Sequence, residues 1–412
     1  MQDNSKGVYF GIELRDTYTC VSYYQINMES PETISTVMGS ENFQIPTYIA
    51  KRRGVGQWYF GNEAKTQVKL GAAIGVDDLL GKAFADEEVL IENERLNARD
   101  LLLIFVKKLL SMPGYFYANS HLNKLVIAVE RLNVDIVKTF SYVASELGVA
   151  RESLMVIDFK EAFYYYALNQ RPEYFLHDVV MFDYTEGKLM HYYLSRNLRT
   201  TPQIVYLQDA VHNSLGAQPD LEFDELIDRV FAGKIISAVY LLGDGFDGDW
   251  LKVSLKKLCH NRKVFAGKDM YSRGACYAGA VKDGAKDWPF IYIGDNELKM
   301  NLSIKVIDNR VMDYLTLLDA GQSWYEAYGE CEVILDGNGE IEVWIQKPEN
   351  RDAKVEILEL TDLPERDNRT TRLRISAKPV SDIEAVVTIS DLGFGEIVPS
   401  SGKVWEHHIA LK

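Results

Sequence analysis

Residues 8–26 read VYFGIELRDTYTCVSYYQI, two β-rich runs either side of the Arg15-Asp16 turn. β-branched and aromatic residues dominate both runs, so the stretch is expected to fold as two strands joined by a tight turn. The run VVMFDYTEGKLMHYYL (179–194) has the same texture around Thr185-Glu186-Gly187. Both stretches read as pairs of strands joined by a turn.

Strand and helix signals alternate outward from these hairpins. Leucines and isoleucine recur at helical spacing over 95–112, the buried run LVIAV (125–129) is a strand, and 134–147 is a helix. The strand SLMVIDF, the helix EAFYYYALN, an amphipathic helix over 222–233, the strand SAVYLLG and the helix WLKVSLKKLC follow. Such alternation predicts α/β layers. After about residue 290 the texture changes to short alternating strands (LKMNLSIKVID, CEVILD, IEVWIQ, KVEILEL, RLRISAK, AVVTISD) separated by DGNG, KPENRD and PERDNR turns. An antiparallel β domain, 291–412, is therefore expected after an α/β domain, 1–290, with the boundary near Lys286 to Ile293.

The chain has 412 residues, 47% of them hydrophobic, enough for two or three domains with cores of their own. Its net charge of -15 disfavours general binding to phosphate backbones or anionic membranes. No nucleic acid and no membrane, but a protein or peptide partner, is the expectation. Cys20, Cys259, Cys276 and Cys331 lack metal-ligand spacing and are expected to be reduced, buried thiols. The first residues run straight into strand pattern, unlike a signal peptide, and LLLIFVKKLL (101–110) is too short to span a bilayer. A cytoplasmic location is expected on those grounds.

Four segments, GIELRDTYTC (11–20), IPTYIA with FGNEAKTQ (45–67), VVMFDYTEGKLMHYYL (179–194) and VYLLGDGF (239–246), resemble in order and context the nucleotide-binding half of the seventy-kilodalton heat-shock chaperones. The resemblance implies an actin-like, ribonuclease H-like α/β ATPase domain of two lobes followed by a β-sandwich similar to the chaperone peptide-binding domain. It places Glu13 and Asp183 where the family's carboxylates organise metal-bound water. Lys65 falls where a lysine assists phosphate cleavage. In an active enzyme Glu13, Lys65 and Asp183 would be catalytic, and Mg would sit near Glu13 and Asp183 through water. Thr17, Tyr18, Gly187, Gly243, Gly245 and Ser272 would meet ATP or ADP.

The departures concentrate at the chemistry. Arg15-Asp16 replaces the small pair that lets backbone amides wrap phosphate, and Asp16 adds a charge worth about 1 to 4 kcal/mol of repulsion at about 4 Å. Glu130 stands at the hinge proline's place and Phe159 at that of the catalytic-site glutamate. Tyr184, Thr185 and Glu186 replace the second loop's glycines, and Met190 replaces its second aspartate; read without the resemblance, TEGK is a plain hairpin turn. Asp247 stands where an arginine packs on the base, and SRGACYAGAV (272–281) is a helix whose small residues permit close packing. About sixty residues separate Asp183 from Gly243, so the lobe that covers adenine in the family is shortened. No helical lid is expected.

The functional expectation is a chaperone-like protein with a degenerate, inactive ATPase domain that binds a polypeptide or a dedicated protein partner through its β domain. The alternatives are a divergent Mg-ATP-hydrolysing ATPase and an actin-like scaffold that assembles. Other constellations are bland. His407-His408 would point to opposite faces of a strand, YYY (164–166) reads as helix core, and DGNG (336–339) reads as a hairpin turn too short for calcium.

Overall fold

The computed structural model describes residues 7–36, 40–112, 121–349 and 352–412. The first six residues, where a signal peptide was considered, and Asn350-Arg351 of the KPENRD turn lie outside the described residues. The chain is an α/β region followed by antiparallel sheets. It divides into two compact units, 1–195 with 207–288, and 196–206 with 289–412.

The first unit is built on two sheets of matching strand order. In one, Tyr18–Tyr24 pairs antiparallel with Gly7–Leu14, which pairs parallel with His121–Val129, which pairs parallel with Leu154–Asp158. Glu32–Thr33 closes the antiparallel side. In the other, Lys188–Asn197 pairs antiparallel with Asp178–Thr185, followed in parallel by Ile236–Leu242 and Lys263–Gly267. Gln203–His212 continues the antiparallel side, and its residues up to 206 belong to the second unit. Each sheet has six strands; with Ile45–Pro46, which pairs with Tyr18–Tyr24, and Phe290–Tyr292, which pairs with Gln203–His212, set aside, the other five number 3-2-1-4-5 in chain order in both sheets.

Local chemistry sets the helices. Asn133 caps Val134–Glu146 by accepting from the Ile136 amide at 2.9 Å, and Asp158 caps Phe159–Leu168 through the Glu161 amide at 2.8 Å. Val134–Glu146 and Ala98–Ser111 press one apolar face on the first sheet, with Phe105, Leu109 and Phe140 in its core. Phe159–Leu168 and Met270–Lys282 are buried nearly all round. They fit because Gly11 and Gly274 lack side chains: a Cβ on Gly11 would lie 2.0 Å from the Ser272 carbonyl, and one on Gly274 2.0 Å from that of Ala162. Close packing is thus what the small residues of 272–281 provide, and Tyr164 and Tyr165 are core.

The second unit holds two four-stranded antiparallel sheets, in the order Val311–Leu318, Asn301–Asp308, Glu340–Gln346, Ala353–Glu359, and Gly329–Ile334, Arg372–Ser381, Glu384–Asp391, Val404–Ala410. A core including Leu302, Val343, Ile375, Val387 and Ile389 belongs to both. DGNG is not a hairpin turn, because Gly329–Ile334 and Glu340–Gln346 belong to different sheets; Gly337 and Gly339, at φ 120° and 77°, carry the chain across. The strand Val311–Leu318 was not foreseen. Two thiols, Cys20 and Cys276, are buried, but Cys259 is exposed, against the expectation for all four. Among the described residues no helix is long and apolar enough to cross a membrane.

Candidate functional site

The two hairpins of the first unit face each other, and Arg15 fills the space between their carboxylates. Its Nε donates to Glu13 Oε1 at 2.8 Å and its Nη2 donates to Asp183 Oδ2 at 3.1 Å. The arginine side chain is only 13% exposed and that of Glu13 not at all. Local backbone explains the reach. Glu13 is the last but one residue of the strand Gly7–Leu14 with its side chain buried, the turn follows, and Arg15 folds back over the strand it has just left, while its amide bonds the Tyr18 carbonyl at 3.0 Å to hold the turn.

The remaining walls are aromatic. The Arg15 guanidinium carbon stands 4.5 Å over the Phe159 ring, and Phe159 stacks on Tyr271 at 4.3 Å with 7° between planes. The Tyr271 hydroxyl donates to Asp183 Oδ2 at 3.0 Å, and the Thr185 hydroxyl donates to Asp183 Oδ1. Tyr18 approaches Glu13 Oε1 at 3.4 Å. Glu13 Oε2 is buried without a donor among the described residues.

Electrostatics follow from that enclosure. Burial pushes the Glu13 carboxyl up to about 7, although Arg15 pulls it the other way. Burial also opposes the Arg15 charge, yet the Glu13 and Asp183 carboxylates outweigh it and hold the guanidinium protonated. Asp16, on the turn, is raised by burial and by Asp78, Glu130 and Glu186.

The other residues singled out in the sequence divide into three groups. Thr17 and Gly187 sit at the hairpin tips, which touch: the Thr17 hydroxyl donates to Glu186, and Glu186 with Gly187 forms a turn of positive φ, 53° and 75°. Gly243 and Gly245 lie against the same hairpin, since a Cβ on either would come within 2.4 Å of Tyr184 or Thr185. Beyond them Asp247 pairs with Lys268, and Trp250 donates its indole N–H to the Gly245 carbonyl at 3.1 Å. Ser272 is buried in a hydroxyl chain, 2.7 Å from Ser22 Oγ, which in turn bonds Thr33, and Thr33 bonds Asp269.

Lys65 is apart from all of these. It lies on the exposed side of the helix Gly61–Lys69 and makes no ion pair among the described residues. Glu130 pairs with Lys188. A cavity of about 430 Å³ lies elsewhere, lined by Lys51, Trp58, Glu94 and Leu101 among others, and none of the residues named for nucleotide or metal reaches it. Among the described residues no group of three His, Cys, Asp or Glu side chains is placed to hold a metal; His408 bonds Glu384 at 2.7 Å.

The C-terminal part of a family of unknown function, DUF5716, matches residues 30–295. The chain belongs to that family. A second match, to a domain of unknown function, DUF8552, covers 297–411, and no curated protein matches the chain. In this DUF5716 member the family match takes in Asp183, Tyr271 and Phe159, whereas Glu13 and Arg15 precede it.

The centre of the site, Arg15 with Phe159 and Tyr271, was not foreseen as a unit. The sequence signal available was charge balance, because a lone basic residue two positions from a strand-end carboxylate has a partner within reach. Nothing local pointed to Asp183 as the second partner or to the aromatic stack.

Proposed function

We propose that this chain is a chaperone-like protein whose actin-like domain does not turn over nucleotide and which acts by binding a polypeptide partner. The repeated 3-2-1-4-5 strand order supports the actin-like, ribonuclease H-like reading of the first unit. The paired antiparallel sheets of the second unit support its likeness to a chaperone β-sandwich. Fold alone leaves function open, so the weight falls on the site.

The observation that carries the proposal is the Arg15 guanidinium spanning Glu13 and Asp183. Magnesium needs oxygen ligands held open around it at about 2.0 to 2.1 Å, usually with several waters. Here Glu13 Oε1 and both Asp183 oxygens accept from Arg15, Tyr271 and Thr185, and a fixed cation stands between the two side chains. The residues present do not fit Mg-ATP.

Calorimetric titration with ATP and ADP, with and without magnesium, tests this reading. No saturable heat up to millimolar nucleotide is expected. Saturable micromolar binding, about -8 kcal/mol, would overturn it and favour a divergent ATPase.

A further inference from the structure

The outer face of the sheet Val311–Leu318, Asn301–Asp308, Glu340–Gln346, Ala353–Glu359 is unlike an ordinary solvated sheet surface. Strand register places Met312 opposite Ile307, Tyr314 opposite Lys305, Trp344 between Ser303 and Val355, and Ile357 opposite Glu342 on this one face. Ile307 is 65% exposed, Met312 58%, Tyr314 45%, Val355 43% and Ile357 58%. Tyr314 and Trp344 meet edge to face at 4.7 Å in the middle of the band. An apolar band of this kind, broken only by the Lys305–Glu342 pair, on a sheet whose strands Asn301–Asp308, Glu340–Gln346 and Ala353–Glu359 turn their opposite faces to the core, marks a docking surface.

Charge says what docks. The cation of this face, Lys305, is committed to Glu342, with both carboxylate oxygens within 3.0 Å. Glu340 and Glu359 stand directly opposite each other across neighbouring strands, and among the described residues neither has an ion-pair partner. Like charges opposed in register are unfavourable, and a cation supplied from outside relieves them. Other strand surfaces in this unit neutralise their charges internally, as Arg374 does with Glu332 and Lys354 with Glu356.

We infer that this face binds an extended segment of a partner polypeptide in which apolar or aromatic side chains alternate with basic ones. The apolar side chains cover the Tyr314–Trp344–Ile357 band, and a lysine or arginine bridges Glu340 and Glu359. The inference rests on the polypeptide-binding reading above and gives that reading a location and a partner chemistry.

Fluorescence anisotropy of the full chain tests it with two short labelled peptides, one alternating leucine with arginine, the other leucine with aspartate. The leucine–arginine peptide is expected to bind and the leucine–aspartate peptide to bind roughly tenfold more weakly or worse. Two charge-neutral surface changes, Tyr314→Ser and Ile357→Ser, and the double change Glu340→Gln with Glu359→Gln, should each weaken the first peptide by roughly tenfold. Equal binding of the two peptides overturns the inference. Binding that survives every substitution overturns this face while leaving polypeptide binding in place. No binding of either peptide to the wild-type chain overturns both the face and its partner chemistry. Self-association that Ile357→Ser abolishes assigns the face to a second copy of the chain and overturns the proposal as stated.

Discussion

At the scale of single residues, Arg15 turns a cleft into a filled core. Removing it strands two carboxylates, one fully buried and the other nearly so, and an unpaired buried charge typically costs about 3–5 kcal/mol. Arg15→Ala should destabilise the first unit by about that much at pH 8 in urea unfolding. The triple change Arg15→Met, Glu13→Gln, Asp183→Asn removes both sides of the pair and should recover most of the loss. Glu13 adds a pH signature. Its folded value of about 7 lies above the ordinary 4.5, so the folded state holds its proton more tightly than the unfolded chain. That contribution is fully present below pH 4.5 and is lost as pH rises through 7. Glu13→Gln should therefore flatten the fall in stability between those limits, and an unchanged difference between wild type and variant across the range would exclude Glu13 as its source. For the same reason the Arg15→Ala penalty should shrink toward acid pH.

At the scale of elements, close backbone approach decides where substitutions are tolerated. Gly11 lies in a central strand beneath the helix Met270–Lys282, where an added methyl meets the Ser272 carbonyl at 2.0 Å and the Cys276 amide at 2.7 Å. Both atoms are backbone, so the helix itself must move. Gly11→Ala should cost about 1–3 kcal/mol or more as overpacking, whereas Gly56→Ala, in an open turn with nothing within 4 Å, should stay within about 1 kcal/mol of wild type. Thermal unfolding of the two variants checks the contrast. Much of this element framework was legible in the sequence, because capped amphipathic helices and the two hairpins announce themselves through local pattern. Val311–Leu318 did not, since its first six residues are exposed on both faces and no period-two burial can emerge. DGNG misled because the glycines that turn a hairpin also carry a chain from one sheet to another. Glu13, Asp183 and Gly187 could be named from the sequence. The guanidinium that joins the first two could not, because its second bond crosses 168 positions of chain.

At the scale of the whole molecule, two compact units with separate cores imply two separable unfolding events. Each needs a buried ionic contact of its own to test this. Arg15 serves for the first unit. In the second, Asp391 has a fully buried side chain that receives two bonds from Arg366, each at 2.9 Å, and further bonds from the Ser401 and Gly393 amides and the Ser401 hydroxyl. Burial pushes the Asp391 carboxyl up, but these donors outweigh it and hold it well below the usual carboxylate range. Its folded value is therefore depressed, and the stability it contributes is present above about pH 4 and lost as pH falls below that. Asp391→Ala leaves Arg366 nearly buried and without this partner, a change expected to cost about 3–5 kcal/mol at neutral pH and progressively less in acid. Hydrogen exchange in mild denaturant locates the loss. Asp391→Ala should lower protection among amides of 301–410 and leave those of 121–195 unchanged, and Arg15→Ala should do the reverse. If either substitution lowers protection equally in both regions, the two cores unfold as one, and the second unit cannot respond to a bound polypeptide independently of the domain that carries Arg15.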